Sequence, residues 1–279
     1  MPPSSEMGPA GGRARQTSDG ILLIDKPAGI TSHDVVARVR RRLGKGVKVG
    51  HAGTLDPFAT GLLIVLVGRA TRVQRFLMEL PKRYITVAQL GATSTTGDPE
   101  GEIAPGRMPP EALVLPTGRI RQRPPAYSAV KIDGKRAYAL ARAGQEVEMP
   151  EREVDVMRFE LLWREADRAA FQIVCSSGTY VRSLIADLGD AYCAELRRTH
   201  IGGFDVEDAD EERLIGLDEA LSFLPAVDLD PEAARKAAHG VTVPGRGKGI
   251  VRLRDADGLI ALAEPRGGAT LKPVVGFRG

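Results

Sequence analysis

Gly50-His51-Ala52-Gly53-Thr54-Leu55-Asp56-Pro57-Phe58-Ala59-Thr60-Gly61 runs without a break into Leu62-Leu63-Ile64-Val65-Leu66-Val67. The second half is an unbroken apolar run and reads as a buried strand. The first half is polar and punctuated by glycine. Gly50, Gly53 and Gly61 permit backbone angles or close approaches that a side chain would obstruct, while Pro57 fixes its own φ and biases Asp56 away from the helical region. Asp56 is therefore expected on a shaped loop braced by a buried strand, a platform suited to a reactive carboxylate. Taken alone, the segment reads more readily as an Asp that caps a turn.

Upstream, Ile21 to Ile24 reads as a short buried strand broken by Lys26-Pro27-Ala28-Gly29. Thr31 or Ser32 then caps a helix with Val35, Val36, Val39 and Leu43 on one face. Arg38, Arg40, Arg41, Arg42, Lys45 and Lys48 crowd the other side, either as a solvated face or as a phosphate-binding surface. Downstream, a helix near Thr71 to Leu80 precedes an alternating strand from Arg83 to Leu90. Gly91 to Gly101, rich in Thr, Ser, Gly, Asp and Pro, reads as a mobile polar loop. Gln122 to Lys131 is extended, and Arg136 to Gly144 reads as helical with Lys135, Arg136 and Arg142 exposed. Strands at Val154 to Trp163 and Ala169 to Cys175 lead through Ser176-Ser177-Gly178-Thr179 into a helix whose first turn holds Tyr180 and Arg182. Another strand is expected near Leu196 to Phe204. Strands following one another with few helices between them indicate an α+β domain rather than a doubly wound α/β fold.

From Asp228 the texture changes to a short helix, Pro231 to Ala238, and glycine-separated strands at Ile250 to Leu253, Leu259 to Ala263 and Leu271 to Phe277. The expected division is a flexible tail over 1–19, a main domain over 20–227 and a small β-rich module over 228–279.

The chain has 279 residues, enough for one large domain and a small one. Its 39 Lys and Arg against 36 Asp and Glu leave a formal charge of only +3, so nucleic-acid binding is read from distribution rather than from the total. The two cysteines, Cys175 and Cys193, and the four scattered histidines form no zinc-like set, and no acidic cluster suggests a hard cation. A reduced, cytoplasmic protein with no metal is expected. No apolar run is long enough to span a membrane.

The ordered set of Gly20 to Gly29, Gly50 to Gly61, Arg83-Tyr84, Gln122 to Lys131 with Gly134 and Tyr138, Gly178 to Arg182 and Leu196-Arg197-Arg198 resembles the bacterial tRNA pseudouridine-55 synthases of the TruB family. The resemblance implies an α+β fold with a mixed, mainly antiparallel sheet of the pseudouridine synthase type and flanking helices. The C-terminal module is shorter than a typical PUA domain and is taken as PUA-like. The implied activity is isomerisation of the uridine at position 55 in the TΨC loop of tRNA, after base flipping, with no cofactor. Asp56 matches the catalytic aspartate, Arg182 its guanidinium partner, and Tyr84 the tyrosine that stacks on the flipped uracil. His51 matches a residue that fills the space the base vacates, and Tyr180 and Leu196 match pocket residues. Lys131 and Arg136 are implied phosphate contacts, while Lys26 and Pro27 look architectural. The implied partner is the T-arm stem-loop of tRNA, bound by a monomer with no obligatory protein partner. Two rival readings are a non-catalytic RNA-folding protein on the same scaffold and a guide-RNA-dependent synthase. The joint presence of Asp56, Tyr84 and Arg182 speaks against the first.

Overall fold

A computed structural model describes residues 19–278 apart from 129, 133, 138, 139, 141, 142, 144 and 146–148. The expected tail therefore lies outside the described residues except for Asp19, as do Tyr138 and most of the helix expected from Arg136 to Gly144.

Among the described residues the chain builds a 10-stranded sheet whose main path runs Asp210–Gly216, Gly20–Lys26, Thr60–Val67, Ala191–Ile201, Lys82–Leu90, Arg168–Cys175, Arg152–Glu165 and Gly118–Gln122. Its pairings are antiparallel except at one junction, where Thr60 and Gly61 run parallel to Arg197 and Arg198. That junction sets the end of the Asp56 loop beside Arg198.

The unbroken apolar run of Thr60–Val67 is explained by cover on both faces. Leu63 and Val65 pack with Leu22 and Ile24 under Val35, Val36 and Val39 of the helix Ser32–Leu43. Leu62, Ile64 and Leu66 face the other way, onto Val73, Phe76 and Leu77. Each such side chain contributes about 1.5–3 kcal/mol on burial. The helix begins as its sequence indicates: Thr31 accepts from the Asp34 amide and Asp34 accepts from the Thr31 amide, a reciprocal cap.

Several expectations change. Arg38 and Arg42 pair with Glu211 and Glu212 on the edge strand Asp210–Gly216, and Arg40 donates to the Val49 carbonyl, so half of the basic cluster is held by the protein itself. Gly91 to Gly101, expected as a mobile loop, carries a short strand Ala92–Ser94 paired with Ile103–Pro105 and is tied to the main sheet by the Cys193 amide donating to the Gly97 carbonyl. Gly118–Gln122 and Asp210–Gly216 are strands that local patterning did not mark.

The C-terminal sheet has the order Ala226–Asp228, Val251–Asp255, Gly258–Arg266, Thr270–Gly276 and Val243–Pro244, with the helix Pro231–Ala238 packed on it. It starts two residues before the expected boundary. Leu259, Leu262 and Phe277 join the same apolar cluster as Ile21, Leu66 and Val73, so this module and the large sheet share a core.

Candidate active site

Asp56 is fixed from both sides. The Leu55 amide donates to the Ser32 hydroxyl at 2.9 Å, and the Pro57 carbonyl accepts from the Gly29 amide at 2.8 Å and from the Lys26 ammonium at 3.2 Å. Lys26 is fully buried and also donates to the Pro27 and Ile30 carbonyls, which agrees with an architectural role. One step back, Arg198 donates to the Gly53, Thr54 and Leu62 carbonyls at 3.1, 3.3 and 2.8 Å. The loop is thus held from the sheet beneath it and from the start of the first helix.

Arg182 reaches Asp56 from the opposite side. Gln122, itself buried, accepts from the Tyr180 amide and donates to the Tyr180 carbonyl, setting the start of the helix Val181–Ala186. From there Arg182 Nε stands 3.0 Å from an Asp56 oxygen. Its Nη1 donates to the Thr96 carbonyl at 2.7 Å and to Asp98 at 3.0 Å, and its Nη2 donates to the Tyr127 carbonyl at 2.9 Å. A planar fork with this many fixed acceptors leaves the guanidinium little freedom.

A third of the Asp56 side chain opens into a cleft of about 240 Å³. The recess shields it from bulk water, and burial raises its carboxyl above the ordinary value; Arg182 opposes this, Asp98 adds to it, and the net displacement is upward. Arg182 therefore limits the rise rather than reversing it.

Tyr84, Tyr180, Leu196 and Arg198 line the same cleft with Asp56 and Arg182. Tyr84 and Leu196 are buried, and burial also raises the Tyr84 phenol, with Arg198 opposing. The Tyr180 ring lies under the Arg152 guanidinium at 5.4 Å. A second recess of about 450 Å³ opens on the other side of Asp56, walled by Thr31, His33, Pro57, Thr96 and Asp98. His51 is not in the wall of either recess. Its ring stands edge-on to His33 at 5.5 Å, and burial with His33 nearby lowers it to about 4. Lys131 and Arg136 lie on a two-stranded hairpin, Lys131–Ile132 with Lys135–Arg136. Among the described residues no group of three or more His, Cys, Asp and Glu is placed to hold a metal.

Three residues of the site were not singled out from sequence. Asp98 and Lys82 are nine-tenths or more buried, as is Arg198. Arg198 belongs to the Leu196-Arg197-Arg198 motif, but Asp98 lies in a segment whose Thr, Ser, Gly and Asp content reads as loop, and Lys82 stands at the first position of an ordinary strand.

The arrangement offers a held carboxylate beside a guanidinium, over an aromatic and aliphatic floor, in a recess large enough for a pyrimidine. The family description "TruB family pseudouridylate synthase (N terminal domain)" matches residues 40–181. The chain is 43% identical to the tRNA pseudouridine synthase B of Leifsonia xyli, over 89% of this chain and 93% of that protein. It is 44% identical to the protein of the same name from Thermobifida fusca, over 94% and 99%. Among solved structures, a chain of a Cbf5-Nop10-Gar1 complex superposes with a TM-score of 0.65 at 27% identity, over 93% of this chain and 84% of that one.

Proposed function

The chain belongs to the TruB family of pseudouridylate synthases, and from that membership we propose that it isomerises the uridine at position 55 in the TΨC loop of tRNA to pseudouridine. The observation that carries the reading is the Asp56 carboxylate held 3.0 Å from the Arg182 guanidinium at the mouth of a cleft floored by Tyr84 and Leu196.

The reaction balances within one nucleotide. The N1–C1′ bond breaks, the base turns, C5 bonds to C1′, and the proton lost from C5 is matched by one gained at N1. No external reagent is consumed, so no cofactor is invoked. The ionised Asp56 is the nucleophile toward ribose C1′ or uracil C6. Arg182 aims it and favours its charged form. Tyr84 stacks on the flipped base, with Leu196 and Tyr180 completing the pocket. His51, kept neutral beside His33, is suited by its flat ring to the space the base leaves. Lys131 and Arg136 supply phosphate contacts on the strength of their charge.

In this reading residues 20–227 carry the chemistry and 228–279 form a PUA-like accessory. The protein acts in the cytoplasm as a monomer on the T-arm, without a guide RNA or obligatory protein partner. No helix among the described residues is long and apolar enough to cross a membrane.

The test is to incubate the full chain with unmodified tRNA transcript and with an isolated T-arm stem-loop, then map pseudouridine at nucleotide resolution. Conversion of the T-loop uridine in both is expected. Conversion at another position, or none, would overturn the reading.

A further inference from the structure

Two buried cations in the cleft have no carboxylate within ion-pair distance among the described residues. Asp56 answers to Arg182, and Arg182 to Asp98. Lys82, 5% exposed, donates among the described residues only to the Met78 and Leu80 carbonyls at the end of the helix Gln74–Glu79. Arg198, 1% exposed, donates to the Gly53, Thr54 and Leu62 carbonyls. Carbonyl dipoles solvate these charges without neutralising them, and an unneutralised buried cation is costly.

Their placement relative to the floor gives the charge a direction. Lys82 is two residues from Tyr84 on one strand, so both side chains leave the same face. Arg198 stands directly across from Tyr84 on the neighbouring strand. Lys82, Tyr84, Leu196 and Arg198 all line the recess that opens at Asp56. The recess therefore has an anionic group at its mouth and two cations along its floor.

We propose that Lys82, backed by Arg198, stabilises the negative charge that develops on the uracil ring during isomerisation, with the Lys82 ammonium touching the base's carbonyl edge. This rests on the uridine-isomerase reading above. If Asp56 attacks C1′, the bonding pair of N1–C1′ stays on N1 and spreads over O2 and O4. If it attacks C6, the C5=C6 pair moves toward O4. Either route builds anionic carbonyl oxygens on a base lying over Tyr84, and a fixed cation in a water-poor recess favours that charge at no cost of reorganisation. Depth argues against a backbone phosphate as the ligand, since a phosphodiester stays with the strand outside while the flipped base enters.

A pH signature follows. Burial, with Arg198 adding to it, lowers the Lys82 ammonium to about 8, opposed by Glu79 from the helix and Cys175 from the adjoining strand. Cys175 itself is pushed up to about 11 and is a neutral thiol here. Lys82 is thus charged below about pH 8 and loses its proton above it.

The experiment compares Lys82→Gln, which keeps donors for the two carbonyls but removes the charge, and Lys82→Arg, which keeps both. Single-turnover consumption of the target nucleoside is measured in T-arm stem-loops carrying uridine or the more acidic 5-fluorouridine, with RNA affinity measured at several salt concentrations. Lys82→Gln is expected to slow the uridine substrate about 10²-fold. Its deficit on 5-fluorouridine should be about tenfold smaller, because a better-stabilised anion needs the cation less. Affinity and its salt dependence should not move. The wild type should slow above about pH 8 and Lys82→Arg should not. Equal deficits on both bases, no deficit, or a loss confined to affinity with a shallower salt slope would each overturn the assignment, the last in favour of a phosphate contact. A wild type that converts uridine while Lys82→Gln behaves identically sinks this role alone. A wild type inert toward uridine sinks the isomerase reading as well.

Discussion

Asp98 and Arg182 form an ion pair of 3.0 Å whose side chains are 6% and 3% exposed, and it is this pair that leaves Arg182 Nε aimed at Asp56. Asp98 is itself fixed by the Thr96 hydroxyl and the Glu100 amide. Its charge also raises the Asp56 carboxyl, so it acts on the nucleophile in two opposed ways: through geometry it helps, through repulsion it hinders. Geometry is expected to dominate, because a displaced guanidinium removes both orientation and charge stabilisation. Asp98→Asn should slow single-turnover chemistry about 10²-fold while RNA affinity stays within a factor of a few. Asp98→Ala, which leaves Arg182 half-paired in the interior, should cost about 3–5 kcal/mol in denaturant unfolding. An Asp98→Asn enzyme of normal rate would show that Arg182 is held well enough by the Thr96 and Tyr127 carbonyls alone.

The raised carboxyl of Asp56 carries a signed expectation for stability. A carboxyl whose folded pKa lies above its unfolded value of 3.8 stabilises the fold below that value and loses this contribution as pH rises through the folded one. Asp56→Asn cannot ionise, so at pH 7 it should melt higher than wild type, and the gap should close as pH falls toward 3.8. Turnover should be lost at every pH while tRNA binding persists. A variant less stable than wild type at neutral pH would mean that the Arg182 pairing outweighs burial after all.

The architecture was legible where a side-chain pattern is local. The alternation from Arg83 to Leu90, the cap at Thr31 and the helix Pro231–Ala238 each depend on neighbours within a few residues. What escaped reading depends on partners far along the chain. Asp98 meets Arg182 across 84 positions, and Arg42 meets Glu212 across 170. Nothing near Asp98 distinguishes a buried aspartate from a turn former, since Ser, Thr, Gly and Asp serve both. Arg198 was visible as part of a motif, but its three carbonyl acceptors come from the other side of the sheet's one parallel junction.

The shared core bears on the C-terminal module, which from sequence reads as a small, separate β-rich unit. Leu259, Leu262 and Phe277 pack against the large sheet, Arg72 donates to the Gly276 carbonyl, and Arg252 donates to the Leu224 carbonyl and pairs with Asp218. Truncation after Pro225 is therefore expected to lower the melting temperature of the large domain, not merely its RNA affinity. Phe277→Ala in the full chain should cost about 3–5 kcal/mol, with a single cooperative transition retained. Two separate melting transitions in the wild type would show that the modules fold independently.

Gly61 ends the Asp56 loop at the point where it passes Arg198. Its φ is +104°, a region that side chains rarely adopt, and a Cβ added there would lie 2.2 Å from the Arg198 carbonyl oxygen and 2.7 Å from its amide nitrogen. Both contacts are with backbone in the middle of the sheet, so neither can swing aside. Gly61→Ala must then separate the parallel junction, and the first casualty is the Arg198 side chain that holds the Gly53 and Thr54 carbonyls. The expected result is a destabilised protein with chemistry impaired beyond its loss of folded fraction, measured as single-turnover rate per folded molecule at a temperature well below the transition. Gly53 supplies the control: its φ is also positive, at +107°, yet an added Cβ meets only the Arg198 Nη1 at 3.7 Å. Gly53→Ala should therefore carry the conformational penalty without the clash, and be the milder of the two. Equal effects at the two positions would mean that backbone strain, and not the approach of Arg198, is why glycine stands at 61.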